Sequence, residues 1–143
     1  MPQTKKKKMS SSVLPSDLSG EQESCILVCV TRQRTCERLI LRGAELAREE
    51  KLPLCVLNVT LSGQPFLGSP AEGEALDYLY QVASDNGAEA VMLKSDNVAH
   101  TLAEYANRRK ARILVMGETP GKAGRGFAYE LQALLPNARI LTL

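Results

Sequence analysis

A chain of 143 residues with 44% hydrophobic and 24% charged side chains has the length and balance of one globular domain. Its formal charge of +2 depends on four consecutive lysines at positions 5–8; the remainder is slightly acidic, and with 4% aromatic residues and no Trp it offers neither a broad basic face nor stacking platforms for nucleic acid. No apolar run nears the roughly 20 residues that cross a bilayer, and no apolar stretch follows the lysines to make a secretory leader, which points to the cytoplasm and away from membranes.

Residues 1–23, rich in Lys, Ser, Gln and Pro and without periodicity, read as a disordered basic and polar tail ahead of a domain at 24–143. The apolar run at 25–30 is a strand. From Thr35, a candidate N-cap, the set Cys36, Leu39, Ile40, Gly43, Ala44, Ala47 repeats at helical spacing until Pro53 intervenes. A second strand is expected at 54–59, then a loop with Gly, Pro and Ser at 62–70, then a helix on Leu76, Leu79, Tyr80 and Ala83 closed by Asn86-Gly87. A third strand follows at 90–93. Ser95, Asp96 or Asn97 caps a helix built on Val98, Leu102, Tyr105 and Ala106 and ended by Arg108, Arg109 and Lys110. A fourth strand at 113–116, a glycine-rich loop at 117–126, a helix on Phe127, Leu131, Leu134 and Leu135, and a last strand at 139–143 complete the chain. Strict alternation of wholly apolar strands with amphipathic helices predicts an α/β fold of three layers, a doubly wound five-stranded parallel sheet with right-handed crossovers.

In such sheets ligands bind beyond the carboxyl ends of the strands. That rule selects Thr31 and Gln33 after the first strand, Asn58 near the end of the second, and Gly117, Gly121, Lys122, Gly124, Arg125 and Gly126 after the fourth. Glycines let backbone N–H groups approach an anion, a helix start adds about half a positive charge, and Lys122 and Arg125 add whole ones. A plain flexible loop is the competing reading, and Asn58 equally suits an edge or a turn cap. Cys25, Cys29, Cys36 and Cys55 lack metal-ligand spacing and read as buried reduced thiols. His100, the single histidine, reads as a surface residue, so no nucleophile–base pair emerges and an enzyme ranks third among the functions.

Several stretches together resemble the universal stress protein family, nearest to the stress-protein-like domain of potassium-responsive sensor kinases, here as a single domain. They are Ile26-Leu27-Val28-Cys29-Val30 followed by Cys36-Glu37-Arg38-Leu39-Ile40, then Asn86-Gly87-Ala88-Glu89, Ser95-Asp96-Asn97-Val98-Ala99, Ile113-Leu114-Val115-Met116-Gly117-Glu118, and Leu134-Leu135-Pro136. The resemblance implies a sheet in the order 3-2-1-4-5, as in the adenine nucleotide alpha hydrolase-like proteins, with ATP or another adenine nucleotide as the ligand and the last strand as a dimer contact. ATP-binding members carry an Asp after the first strand and a loop of form G-x2-G-x9-G-[ST] after the fourth. Here Thr31, Arg32 and Gln33 supply no carboxylate, the glycine after Gly117 is Gly121, and Phe127 follows Gly126. The expected function is a non-enzymatic cytoplasmic stress or signalling module that binds a nucleotide or other anion between strands one and four. The alternative is a ligand-free module that docks to a protein signalling partner.

Overall fold

The five apolar runs form five parallel strands, and the helices between them cover the two faces of the sheet in turn. In chain order the elements are β1 (Cys25–Cys29), α1 (Gln33–Glu50), β2 (Leu54–Leu61), a short 3-10 turn (Phe66–Gly68), α2 (Glu72–Asp85), β3 (Glu89–Ser95), α3 (Val98–Arg108), β4 (Ala111–Met116), α4 (Gly121–Leu134) and β5 (Arg139–Thr142). The structure, a computed structural model, describes residues 24–31, 33–68, 71–117 and 121–143, with the backbone alone at 33, 34, 68 and 121–125. The expected tail at 1–23 lies outside the described residues.

The sheet order is β3-β2-β1-β4-β5, with every neighbouring pair parallel. This is the expected three-layer doubly wound α/β architecture. β1 is central, and Cys25, Ile26, Leu27 and Val28 are wholly buried, which is why its sequence is a continuous apolar run rather than an alternating one. Ile26, Val28, Val56 and Val115 face α1 and α2, where Leu39, Ile40, Leu79 and Ala83 meet them. Leu27, Leu57, Leu114 and Met116 face α3 and α4, where Leu102, Ala106, Leu131 and Leu135 close the second core. Each fully buried leucine contributes roughly 1.5–3 kcal/mol of transfer free energy.

The outer strands differ. Glu89 and Lys94 of β3 are exposed, and β5 is only half-buried along Ile140 and Leu141.

Local differences from the sequence reading have identifiable causes. α1 starts at Gln33, so Thr35 lies inside its first turn and is not the cap. The buried stripe of α2 is Ala75, Leu79, Val82 and Ala83, with Tyr80 exposed; the alanines allow close approach to the sheet and leave the tyrosine hydroxyl in water. Asn97 is the cap of α3, its Oδ1 accepting from the His100 backbone N–H at 3.1 Å. α2 ends as expected: Gly87 takes φ +72°, a left-handed conformation that suits glycine, and its N–H donates to the Ser84 carbonyl.

Candidate functional site

β1 and β4 lie side by side, with Cys29 opposite Met116, and the chain leaves them toward opposite faces. α1 follows β1 into the first layer and α4 follows β4 into the second, so a crevice opens between the two carboxyl ends. Two helix N-termini flank that crevice. Neither α1 nor α4 has an acidic residue in its first turn, so the partial positive charge of both dipoles is uncompensated by their own side chains.

The glycine-rich segment is built differently from a loop. Gly121, Lys122, Gly124, Arg125 and Gly126 have helical backbone and form the opening turns of α4. Only residues 118–120, outside the described residues, connect them to Gly117. Glycine is a poor helix former, which is why composition suggests a loop. The burial of Leu131 and Leu135 against the sheet and the short connection from β4 draw the helix back over the glycines. The side chains of Lys122 and Arg125, like that of Gln33, fall outside the described atoms.

Gly117 sits at the end of β4, half-buried, and among the described residues a Cβ built there would meet Leu39 Cδ1, at 3.7 Å. Thr31 is exposed directly after the buried Val30 at the end of β1. The strand ends therefore bring Thr31 and Gly117 to the crevice, with the start of α1 at Gln33 on one flank and that of α4 at Gly121 on the other.

Asn58 has a different place. Its side chain is buried, Nδ2 donates to the Val30 carbonyl at 2.7 Å, and Oδ1 accepts from the Thr60 hydroxyl at 2.7 Å. It is neither an edge residue nor a turn cap. It ties β2 to the outgoing end of β1, where the chain turns away from the sheet, and so holds the floor of the crevice in position. Beyond that tie β2 continues with β3 as far as Leu61 opposite Ser95, forming a wall that overtops β1.

A strap that sequence punctuation hides lies beside this wall. The Phe66 N–H donates to the Glu72 carboxylate at 2.6 Å, Lys94 pairs with Glu72 at 3.6 Å, and the Lys94 ammonium rests 4.6 Å from the centre of the Phe66 ring. Leu67, with φ +59°, places its side chain in the core. In the sequence only Phe66, Glu72 and Lys94, far apart along the chain, signal it.

Cys29 lies at the end of β1 with its thiol inside the second core, and burial holds that thiol well above its ordinary range, so it stays neutral. His100 is exposed in the first turn of α3. Among the described residues no group of His, Cys, Asp and Glu is placed to hold a metal, and no helix is long and apolar enough to cross a membrane.

No protein-family model and no curated protein sequence matches the chain. Solved structures do. The universal stress protein of Archaeoglobus fulgidus superposes with a TM-score of 0.61 at 21% identity over 83% of this chain and 97% of that one, and its complex with dAMP with 0.60 at 20% over 85% and 98%. UspA of Lactobacillus plantarum gives 0.62 at 15% over 87% and 99%, and a universal stress protein in complex with cAMP gives 0.56 at 15% over 86% and 98%. The likeness spans nearly the whole of each of those proteins, at an identity that speaks to architecture alone. The chain has the fold of the universal stress proteins.

Proposed function

We propose that the chain is a non-enzymatic regulatory module that binds an adenine nucleotide, or another anion of that size, in the crevice between β1 and β4. The observation that carries this reading is the pair of helix N-termini flanking Gly117, neither opposed by an acidic side chain in its first turn. Structural neighbours in complex with dAMP and with cAMP make a nucleotide the first ligand to test. Titration calorimetry with ATP, ADP, AMP, cAMP and cyclic dinucleotides is the direct experiment, and heats indistinguishable from buffer at millimolar ligand would remove the proposal.

The variant that locates the site is Gly117→Val. Since among the described residues a Cβ at Gly117 meets Leu39 Cδ1 at an ordinary van der Waals distance, the fold should tolerate the change with a melting temperature shifted by a few degrees. The branched side chain would fill the crevice mouth and weaken nucleotide binding at least tenfold, about 1.4 kcal/mol. Gly73→Val, on the exposed start of α2 where nothing lies within 4 Å, should leave affinity unchanged. Equal affinities in the two variants would move the site elsewhere.

A second reading is a ligand-free module for a protein signalling partner. Thr31 and Gln33 stand where a ribose-binding carboxylate would be expected, and the amide of Asn58 is already engaged by Val30 and Thr60. An absence of binding in the calorimetry combined with a specific, saturable partner in crosslinking would favour it. Under both readings we place the protein in the cytoplasm, without nucleic-acid or membrane partners. Catalysis has little support, because no nucleophile–base pair faces the crevice among the described residues; release of phosphate from ATP above the buffer rate would contradict this.

We further propose that two copies associate through β5. Its outer edge carries unpaired backbone groups, and neither Ile140 nor Leu141 guards it with charge. Light scattering at micromolar concentration should give twice the chain mass. Deletion of residues 140–143 should halve it, and a monomer at high concentration would overturn the assignment.

A further inference from the structure

Of the five asparagines, Asn86 alone precedes a glycine; the others precede Val59, Val98, Arg108 and Ala138. The backbone nitrogen that follows an asparagine can attack its side-chain amide, and glycine permits this best because no Cβ obstructs the approach or restricts the backbone. Asn86 and Gly87 stand in the turn between α2 and β3, and that turn holds the reacting groups apart in two ways. The Asn86 backbone, at φ −107° and ψ +15°, turns the Gly87 nitrogen away from the side-chain carbonyl carbon. Hydrogen bonds engage both nitrogens: Asn86 Nδ2 donates to the Val82 carbonyl at 2.9 Å, and the Gly87 N–H donates to the Ser84 carbonyl at 3.0 Å. The Ala88 N–H then closes the turn on the Ala83 carbonyl at 2.9 Å.

These bonds are the last of α2, at the kind of helix end that frays first. Gly87 is exposed and Asn86 half-buried. A groove of about 200 Å³ runs beside them, lined by Ala44, Ala47, Arg48 and Leu52 among others, with room for water. One opening of the turn therefore frees the nucleophile, the amide and the path for water together.

We propose that Asn86 is a site of spontaneous deamidation gated by the end of α2: the closed turn keeps the amide unreactive, each opening exposes it to the Gly87 nitrogen, and the isoaspartate formed prevents the turn from closing again. The Gly87 nitrogen, giving up its proton, attacks Asn86 Cγ. A C–N bond forms, the bond from Cγ to the amide nitrogen breaks, and ammonia leaves with the proton. Water then opens the five-membered imide. Cleavage at the backbone carbonyl gives isoaspartate, and cleavage at the side-chain carbonyl gives aspartate. Nothing is oxidised or reduced; one water enters and one ammonia leaves.

Either product lacks Nδ2, so the Val82 carbonyl loses its donor, and a carboxylate stands at the negative end of the helix dipole. Isoaspartate also adds a methylene to the main chain, which takes the Gly87 and Ala88 N–H groups out of register with Ser84 and Ala83. The loosening reaches Glu89, the first residue of β3, which pairs with Cys55 on β2. No reverse step restores the amide, so the change accumulates with every opening.

The test incubates the full chain at mildly alkaline pH, folded and in parallel in urea above the unfolding midpoint. Isoaspartate is located by peptide mapping and counted by methylation with an isoaspartyl methyltransferase. In urea Asn86 should react before the other four asparagines. In the folded chain its reaction should be at least about tenfold slower, with a rate that rises as urea approaches the midpoint. Gly87→Ala should suppress the reaction in urea, a reading that does not depend on whether the variant folds. The isoaspartate form, separated from aged folded protein, should melt about 2–4 °C below the fresh chain. Equal rates in the folded and unfolded chains, an earlier reaction at another asparagine, or an unchanged melting temperature would each overturn the proposal. It goes beyond the crevice reading and fails separately from it, since calorimetry on fresh protein does not involve this turn.

Discussion

Gly43→Val should destabilise the domain by at least about 3 kcal/mol or prevent folding altogether. Gly43 lies on the face of α1 that rests on β1. A Cβ at that position would fall 2.3 Å from Val28 Cγ2 and 3.1 Å from Leu54 Cδ1. Val28 cannot step aside, because it is β-branched, wholly buried and flanked by β2 and β4. Helix propensity works the other way, since glycine costs about 1 kcal/mol relative to alanine in a helix interior. Gly43→Ala should therefore lose less, about 1–2 kcal/mol net, as the clash outweighs the propensity gain. Gly73→Ala, with open space around it, should gain a few tenths of a kcal/mol. Urea denaturation of the three variants gives the comparison. A midpoint for Gly43→Val equal to that of the parent would show that α1 does not approach β1 as closely as described.

Asn58→Leu should cost about 2–4 kcal/mol although it keeps the branched heavy-atom outline and adds apolar character. The change removes the donor to the Val30 carbonyl and the acceptor for the Thr60 hydroxyl, both at buried positions. A leucine is welcome in a core only where no polar neighbour depends on the residue it replaces. Asn58→Asp should be worse, because a carboxylate turned toward the Val30 carbonyl sets charge against dipole in a site that excludes water. The denaturation midpoint reads both effects, and neutral behaviour of Asn58→Leu would mean that Val30 and Thr60 find other partners. If the tie to β1 is broken, the crevice floor should loosen as well, so nucleotide affinity should fall in a more conservative variant such as Asn58→Ser.

Much of the architecture is visible in the linear pattern. The wholly apolar runs around Ile26, Val56 and Val115 show strands buried on both faces, and their alternation with amphipathic stretches implies a parallel sheet. Alternation does not choose among strand orders, and β3-β2-β1-β4-β5 rested on the family likeness. The crevice is expected from the rule about carboxyl ends, and Thr31 and Gly117 follow the paired ends of β1 and β4. What escaped the sequence depends on distant partners. Asn58 reads as a lone polar residue until Val30, 28 positions earlier, is seen to accept from it. Arg109 reads as a helix-terminal cation until Cys55, 54 positions away, is found under its guanidinium. Gly43 looks like one more small residue in a helical stripe, since nothing local shows how near β1 comes. The glycines from 121 to 126 mislead for the opposite reason: local propensity favours a loop, and packing at Leu131 and Leu135 overrides it.

An open sheet has two edges, and if the edge of one molecule joined the opposite edge of the next, the result would be a fibre that grows without limit. In this protein such growth would have to seat β5 of one copy against β3 of another. β3 is poorly suited to receive it. Glu89 and Lys94 stand at its two ends, held by Arg109 from α3 and Glu72 from α2, so an incoming apolar strand would have to strip both ion pairs of their water. Two charged residues on the far border of the sheet would thus act as a stop, so that the association through β5 proposed above would close at two copies.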